Sequence, residues 1–434
     1  MDPVITGLVG IVILLMLFML NMPVSFAMAL VGFFGFAYVV NWDSAVSLLT
    51  RDLFDQLSFY PLNVIVLFVL MGSFAFASGM SHRLYDSSHV LAGKLPAGLA
   101  VATVLACSGF AAICGSTAAT AATIGRVALP EMKRFGYGDR LATGCIAAAG
   151  SIGILIPPST IFIVYGILTE QSIGDLFASG ILPGVILTVF YISTVFLISL
   201  RNRAIAPAGE SSRLVDKLLA LVKIFDIFLL FVFSIGGLFL GWYSPNQAAG
   251  VGAAGALLIG ILHRKLTWTR FVSATREGLR TACMILMLIA GASVFGKFMA
   301  VTTIPAQLST WVGGLDLPPF WVMALICLMF FVGGCFIDAM ALIMLTIPII
   351  YPVVLDLNFD PVWFGVVVVL ISQIAVITPP VGVNVYVTKG IAADVPIETI
   401  FRGTFPFLMS LILLLILVLA LPQVALWLPE LFKS

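Results

Sequence analysis

Charged residues are scarce in this sequence. Only 9% of its 434 residues are Asp, Glu, Lys or Arg, whereas 61% are hydrophobic and the mean hydropathy is +1.18. Soluble domains carry about 25% charged residues, so this chain is predicted to lie in a lipid bilayer rather than in water. The net charge of +1 and the lack of a basic stripe exclude nucleic acid as a partner.

Residues typical of catalytic and metal centres are also few. The three histidines, His82, His89 and His263, lie at the ends of apolar spans, and no HExxH, GxSxG or P-loop motif occurs. The six cysteines lie inside apolar runs without CxxC spacing, which favours a packing role. We therefore expect no enzyme activity and no cofactor. No Lys or Arg precedes Arg51, so the first apolar run is expected to be a retained helix and not a cleaved signal.

The hydropathy pattern predicts an all-α polytopic membrane protein. Spans of helical length are predicted at about 4–20, 23–40, 61–79, 177–200, 224–241, 245–262, 281–302 and 403–428. Between them, Gly and Pro interrupt two further apolar regions. We expect these regions to form re-entrant hairpins and broken helices, since irregular backbone at membrane depth must line a cavity or be buried. The predicted hairpins are 97–134 and 319–355, and the predicted broken helices are 140–170 and 362–393.

Prolines reveal an internal repeat with an offset of 222 residues. Six prolines have a partner at this offset, where chance predicts about half a match. The matches are Pro23 with Pro245, Pro96 with Pro318, Pro130 with Pro352, Pro157 and Pro158 with Pro379 and Pro380, and Pro207 with Pro429. The sequence therefore predicts a first repeat at 1–203, a cytoplasmic linker at 204–223 and a second repeat at 224–434.

Charge asymmetry predicts that the two repeats are inverted. The amphipathic segment 41–60 carries three Asp and one Arg, whereas its partner 263–280 carries mainly Arg and Lys. Basic loops mark the cytoplasmic side, so 41–60 is expected to be a periplasmic interfacial helix and 263–280 a cytoplasmic one. The basic ends of the first hairpin (Lys94, Lys133, Arg134, Arg140) place its entry at the cytoplasm, and Asp316, Asp356 and Asp360 place that of the second at the periplasm. The N-terminus is then periplasmic. Inverted repeats with broken helices are typical of secondary carriers.

The interrupted positions are the candidate binding sites. The first hairpin tip is Gly115-Ser116-Thr117, whose hydroxyls, carbonyls and following helix N-terminus suit a monovalent cation or an anionic group. Small residues there also permit close helix packing. The stretch from Gly153 to Ser159 contains Pro157 and Pro158, which remove amide donors and free helix carbonyls.

Two charged residues lie within the apolar segments of the second repeat. Asp338 follows Ser116 by 222 residues, and an intramembrane carboxylate is a functional candidate. It could bind a cation, take up a proton or pair with a basic residue. Lys297 could hold the anionic end of a substrate, or extend to the membrane interface. A direct pair between Asp338 and Lys297 is the competing interpretation.

At these motifs the chain resembles the large membrane (M) subunit of the tripartite ATP-independent periplasmic (TRAP) transporters. The matching pieces include GSTAAT at 115–120, GILIPPS at 153–159, GCFIDAMALIMLTIPIIYP at 334–352 and TPPVGVNVYV at 378–387. The resemblance implies sodium-driven uptake across the bacterial inner membrane by an elevator mechanism, in which a transport domain that holds both hairpins slides against a scaffold. The implied substrate is a small organic anion, a carboxylate or sulfonate. It also implies two partners, a separate small four-helix (Q-type) membrane subunit and a periplasmic substrate-binding protein.

The same resemblance places sodium at the hairpin tips and the Pro-Pro breaks. The implied sodium-binding residues are Gly115, Ser116, Thr117, Gly153, Pro157, Gly334, Asp338, Thr378, Pro379 and Gly382. The implied substrate contacts are Lys297, Ser116, Ser159 and Asn384. Lys297 departs from the dicarboxylate-type pattern of the family, which has an apolar residue there, and this departure leaves the particular substrate open. A standalone sodium- or proton-coupled carboxylate carrier of the same superfamily is the alternative, whereas the paired hairpins favour binding and occlusion over a channel.

Overall fold

The structure is a computed structural model that describes residues 2–433 apart from 21, 94, 203, 204, 206, 208–212 and 315–317. Two charges predicted to orient the chain, Lys94 and Asp316, lie outside the described residues, as do positions 204, 206 and 208–212 of the predicted linker. The described part contains helices and no strand. Its first half forms α1 Pro3–Met19, α2 Val24–Val39, α3 Trp42–Ser58, α4 Asn63–Ala77, α5 Met80–Ala92, α6 Gly98–Cys114, α7 Thr117–Arg134, α8 Asp139–Ser151, α9 Thr160–Thr169 and α10 Ile173–Arg201.

The second half follows the same order of elements. It forms α11 Leu214–Lys223, α12 Phe225–Phe231, α13 Gly237–Phe239, α14 Pro245–Leu262, α15 Trp268–Val301, α16 Ile304–Gly313, α17 Pro319–Gly334, α18 Ala339–Asp356, α19 Pro361–Val376, α20 Val383–Ile391, α21 Ile397–Ala420 and α22 Gln423–Lys433. A π-helical turn, Val232–Gly236, joins α12 to α13. Helices α7 and α18 differ by 222 residues at both ends, as the proline repeat predicts.

Six of the described helices are long and apolar enough to cross a membrane. They are Tyr60–Ala77, Ile173–Arg201, Pro245–Leu262, Trp268–Val301, Ala339–Asp356 and Ile397–Ala420. A seventh arises if Leu214–Lys223 and Phe225–Phe239, which meet at an angle of 45°, count as one span. Shorter apolar helices, among them α1, α2, α6 and α17, accompany them. The prediction of an all-helical polytopic membrane protein is confirmed.

Contacts between the two halves are reciprocal. Helix α2 packs on α15 and α4 packs on α14; likewise α7 packs on α20 and α9 packs on α18. Each contact thus recurs with the two halves exchanged, which is the pattern that an approximate two-fold axis produces. The helices fall into two groups, which we name the scaffold group (α1–α4 and α12–α15) and the hairpin group (α6–α10 and α17–α21). Helices α5 and α16 connect the groups in the two halves.

Two segments differ from the sequence-based expectation. The predicted interfacial helix 263–280 and the span 281–302 form the single 34-residue helix α15. In the first half, Pro61 begins a 3-10 turn between α3 and α4, whereas the residue 222 positions later is Cys283, which does not interrupt a helix. The predicted span 403–428 is divided, because Pro422 separates α21 from α22.

Candidate functional site

Both hairpins turn at the predicted tips, and each return helix begins at a capping residue. Gly115 adopts a positive φ of 64° and ends α6, after which the Ser116 hydroxyl accepts a hydrogen bond from the Ala119 amide at 3.4 Å. In the second hairpin the Asp338 carboxylate accepts from the Met340 amide at 3.0 Å. Side-chain oxygens at this position satisfy amides that the first helical turn leaves free. Ser116 and Asp338 therefore have the same structural role.

The first tip packs directly on the first Pro-Pro break. A Cβ added to Gly115 would lie 2.3 Å from the Pro158 carbonyl oxygen, and one added to Gly153 would lie 2.6 Å from the Ser116 carbonyl oxygen. The Thr160 hydroxyl donates to the Gly115 carbonyl at 3.0 Å. Only glycine permits backbone to approach backbone this closely. The two glycines thus bring carbonyl groups from two chain segments together.

The second tip packs on the second break in a related way. The Val381 amide donates to the Cys335 carbonyl at 3.3 Å, and a Cβ added to Gly334 would lie 2.6 Å from the Ala375 Cβ. The Thr378 hydroxyl donates to the Ile374 carbonyl at 2.6 Å, and Gly382 adopts a positive φ of 60° before α20. Each hairpin tip is therefore held against the broken helix of its own repeat.

One cavity of about 530 Å³ lies between the two tips and the scaffold group. The hairpin group contributes Phe110, Cys114, Ser116, Thr117, Ala118, Ala119, Thr123, Ile154, Thr160, Ile161, Asp338, Ala339, Met340, Val376 and Val383. Helices α4 and α15 contribute Val69, Gly72, Ser73, Phe76, Glu277, Thr281, Met284, Ile285 and Leu288. The N-terminal turns of α7 and α18 both face this cavity. Its lining combines hydroxyl groups and apolar side chains with two carboxylates, those of Glu277 and Asp338.

The predicted sodium-binding residues occupy the tips and the breaks. Ser116, Thr117 and Asp338 line the cavity. The remaining ones belong to the same tips and breaks but are not among the lining residues, and they are Gly115, Gly153, Pro157, Gly334, Thr378, Pro379 and Gly382. The structure thus brings the two tips to a single cavity.

Three of the four predicted substrate contacts lie elsewhere. The buried Ser159 hydroxyl donates to the Ile154 carbonyl at 2.6 Å and accepts from the Phe162 amide. The buried Asn384 amide donates to the Ala147 carbonyl at 3.0 Å. Neither residue is among the described residues that line the cavity. In this conformation both side chains are hydrogen-bonded to backbone groups, and their contact with substrate stays a prediction. Of the four residues, Ser116 is the one that lines the cavity.

Lys297 is likewise outside the cavity lining, and its partner is not Asp338. Its ammonium group forms an ion pair with Asp52 of α3, and the Ser293 hydroxyl donates to the other oxygen of this carboxylate at 3.2 Å. The Asp52 side chain is 8% exposed. A carboxylate this buried needs a partner, so Lys297 has a structural function in this conformation.

We predict that Lys297→Met destabilises the protein through Asp52. The unpaired carboxylate should cost about 1–3 kcal/mol, and the double variant Lys297→Met with Asp52→Leu should recover most of it, because the charge has then been removed. Melting temperatures in detergent measure both effects, with Arg280→Met on the exposed face of α15 as the control. A raised half-saturation concentration with unchanged stability would instead return Lys297 to the substrate site.

Sequence reasoning missed the contribution of α15 to the cavity. Glu277, Thr281, Ile285 and Leu288 line the cavity at helical spacing, whereas 263–280 was assigned to the membrane surface. Glu277 is the only acidic residue of that segment, so its isolation among basic residues was the available signal. The long continuous helix places it against the hairpin tips.

Arg126 is a basic residue of α7 that lies beyond the cavity lining, on the same stripe of the helix as two lining residues. Ala119 and Thr123 line the cavity, and Arg126 follows them at i+7 and i+3, so it lies on the same helix face. Arg126 is exposed, and it has no ion-pair partner within the described chain. Arg126 is thus a cation without an ion-pair partner, one helical turn beyond the lining residue Thr123.

Two hairpin tips and two broken helices that meet at one cavity inside an apolar helical protein define a class, the secondary membrane transporters. The comparisons agree. The model of the family described as "Tripartite ATP-independent periplasmic transporter, DctM component" matches residues 11–424. The chain belongs to this family and is a transporter permease, not an enzyme.

Several characterised relatives align over nearly the whole chain. It is 33% identical over 389 residues to the C4-dicarboxylate TRAP transporter large permease protein DctM of Pseudomonas aeruginosa, covering 89% of this chain and 90% of the relative. It is 30% identical to the sialic acid TRAP transporter large permease protein SiaM of Vibrio cholerae. This match covers 95% of this chain and 96% of SiaM. The isethionate TRAP transporter permease protein DctMQ of Oleidesulfovibrio alaskensis is 32% identical; the match covers 86% of this chain and 58% of that protein.

A solved structure supports the fold independently. The YdaH transporter of Alcanivorax borkumensis superimposes with a TM-score of 0.65 at 16% identity, covering 90% of this chain and 91% of the other. At this identity the likeness concerns the fold alone. The family and the fold together make this chain a multi-span helical TRAP permease, which implies the inner membrane.

Proposed function

We propose that this chain is the translocating subunit of a sodium-driven importer of a small organic anion. The observation that carries the proposal is the single cavity at which both hairpin tips and both broken helices meet. Ions and substrate bound there would be held by the hairpin group and released when that group moves against the scaffold group, as in an elevator. The relatives named above transport C4-dicarboxylates, sialic acid and isethionate, all of which carry an acidic group, and this range supports the proposed substrate class.

Sodium would bind at each tip through oxygen atoms. Hard cations prefer carbonyl, hydroxyl and carboxylate oxygens, and each break exposes carbonyls of a terminated helix. At the first tip, the close approach of Gly115 and Gly153 to neighbouring backbone lets carbonyls from two segments share one small ion. At the second tip, Asp338 adds a carboxylate beside Thr378 and Gly382. The two proposed ions therefore differ in the charge of their ligands.

The anionic group would be held by α7. The N-terminus of α7 faces the cavity and is capped by the neutral Ser116, so its partial positive charge remains available to an anion. The N-terminus of α18 already has the Asp338 carboxylate. Arg126 lies on the same face of α7 and supplies a guanidinium that can bind a carboxylate or sulfonate in a bidentate manner. This arrangement replaces the role expected of Lys297.

Sodium replacement tests the proposal. The complete transporter, reconstituted in vesicles with its small membrane subunit and its binding protein, should take up substrate only under an inward sodium gradient. Replacing sodium with potassium or choline should abolish uptake, because these ions do not fit a compact oxygen site. Equal uptake with all three cations, in vesicles shown to be sealed, would contradict sodium coupling. A proton ionophore distinguishes proton coupling from sodium coupling.

Two partners complete the proposed importer, a separate small membrane subunit and a periplasmic binding protein. We predict that vesicles containing this chain alone show no uptake above that of empty vesicles. Addition of the small subunit and of loaded binding protein should restore it. Uptake by the purified chain alone at micromolar substrate would favour the standalone carrier. Binding protein added in its substrate-free form is the matched control.

A further inference from the structure

The two connecting helices are equivalent in the repeat but pack differently. Helix α5 packs chiefly on α6, the helix that enters the first hairpin. Helix α16 packs chiefly on α18, the return helix of the second hairpin. The contacts of the scaffold group with the two hairpins differ in the same way. Helix α4 contacts α6, the entering helix of the first hairpin, whereas α15 contacts α18, the return helix of the second. Other contacts, such as those of α7 with α20 and of α9 with α18, are reciprocal, so the connecting helices are one place where the two halves differ.

A polar contact accompanies the α16 arrangement. The Ser309 hydroxyl of α16 donates a hydrogen bond to the Asp356 carboxylate at the end of α18. Subtraction of 222 from both numbers gives Ser87 on α5 and Arg134 at the end of α7. A serine on each connecting helix thus corresponds to an ionisable residue at the end of each return helix. The first-half pair has the opposite charge, and a hydroxyl can accept from a guanidinium as readily as it donates to a carboxylate.

The first-half pair is not formed in this conformation. The Ser87 side chain is 1% exposed, and its hydroxyl has no hydrogen-bond partner in the described structure. The Arg134 side chain is 75% exposed, and its nearest carboxylate is that of Glu131 at 3.8 Å. A buried hydroxyl without a partner is unfavourable and needs an explanation. A second conformation in which Ser87 has a partner provides one.

We propose that Ser309–Asp356 and Ser87–Arg134 are alternating latches, one closed in each end state of transport. Inverted repeats reach the opposite state by exchanging the conformations of their halves. An exchange of conformations between the two halves would move α5 onto the return helix α7, in the way that α16 now lies on α18. Ser87 would then reach Arg134, and Ser309 would separate from Asp356. This inference rests on the alternating access contained in the proposed function.

Neighbouring contacts are compatible with this movement. Arg83, one turn before Ser87, is bonded to Asp226 of α12 at 2.8 Å, which anchors the start of α5 to the scaffold group. Helix α5 already touches α7 as well as α6. A pivot near Arg83 therefore moves the Ser87 end along the hairpin without unfolding α5. The movement replaces part of the packing of α5 on α6 with packing on α7 and releases the contact between Arg134 and Glu131.

Cysteine cross-linking tests the two latches separately. We would make Ser309→Cys with Asp356→Cys, and Ser87→Cys with Arg134→Cys, each in a background in which the exposed Cys283 is changed to Ser. Oxidation with copper phenanthroline, followed by denaturation and labelling with a polymer-linked maleimide, reports cross-linking by the loss of two labels. Ser88→Cys with Arg134→Cys is the matched control, because Ser88 lies about 100° further round the helix.

Both designed pairs should cross-link, and each cross-link should block uptake until a reductant is added. If a condition such as saturating sodium raises the rate of cross-linking of one pair, it should lower the rate of cross-linking of the other pair. Ser87→Ala should increase Ser309–Asp356 cross-linking by about threefold or more, since it removes the competing latch. A Ser87–Arg134 pair that cross-links no faster than the Ser88 control would overturn the proposal. So would rates for the two pairs that rise and fall together.

The labelling assay does not depend on ion coupling. If uptake proves independent of sodium while the two pairs still exclude each other, the proposed coupling fails and the latches stand. If uptake follows sodium but the Ser87 pair never exceeds its control, the latches fail and the coupling stands. Ser309–Asp356 cross-linking in unenergised membranes provides the positive control for the method.

Discussion

Gly153→Ala is expected to reduce uptake at least about tenfold while the protein still inserts into the membrane. The new Cβ would lie 2.6 Å from the Ser116 carbonyl oxygen and 2.8 Å from the Thr120 hydroxyl oxygen. One obstacle is backbone, so the hairpin tip itself must move, and overpacking of this kind costs about 1–3 kcal/mol. That displacement separates the carbonyls proposed to share a sodium ion. Initial rates of substrate uptake at fixed sodium measure the loss.

Gly250→Ala is the matched control, because a Cβ at Gly250 would meet no atom within 4 Å. Its uptake should equal that of the unchanged protein, since α14 tolerates alanine better than glycine. Sodium titration sharpens the test. If the tip holds an ion, residual uptake by Gly153→Ala should need a higher sodium concentration. Normal rates and normal sodium dependence in Gly153→Ala would remove the first tip from the proposed site.

Arg126→Gln is expected to raise the substrate concentration for half-maximal uptake by about 10- to 100-fold. A hydrogen bond to a charged group contributes about 1.5–3 kcal/mol, and Lys133, which follows Arg126 at i+7 on α7, is already paired with Asp394. The sodium dependence should remain unchanged, because Arg126 is not among the proposed sodium ligands. Arg126→Lys should recover only part of the loss, since an ammonium cannot bind an acid group in a bidentate manner.

Lys265→Gln serves as the control for a lost positive charge. Lys265 is exposed in the turn between α14 and α15, so its replacement removes one charge without touching the cavity. An equal effect of the two substitutions would point to long-range attraction of the anion, which high salt would screen. An unchanged half-saturation concentration in Arg126→Gln would show that the anion is held by the α7 N-terminus alone.

The helices and the interruptions were predictable from sequence because both depend on local chemistry. Apolar runs of sufficient length form helices in a bilayer, where every backbone amide must be satisfied within the segment. Pro157, Pro158, Pro379 and Pro380 lack amide hydrogens and must end those helices. Ser116 and Asp338 are typical capping residues that follow glycine-rich turns. These features fixed the repeat, the two tips and the family.

The partners of individual side chains were decided by the tertiary structure. Lys297 meets Asp52, which is 245 residues away, and no local pattern links the two. Glu277 reaches the cavity because α15 continues without a break into the span. In a soluble protein the polar face of a helix shows which side is buried. In lipid both faces are apolar, so the sequence alone determines where each helix begins and ends, whereas packing against neighbouring helices determines which face lines the cavity.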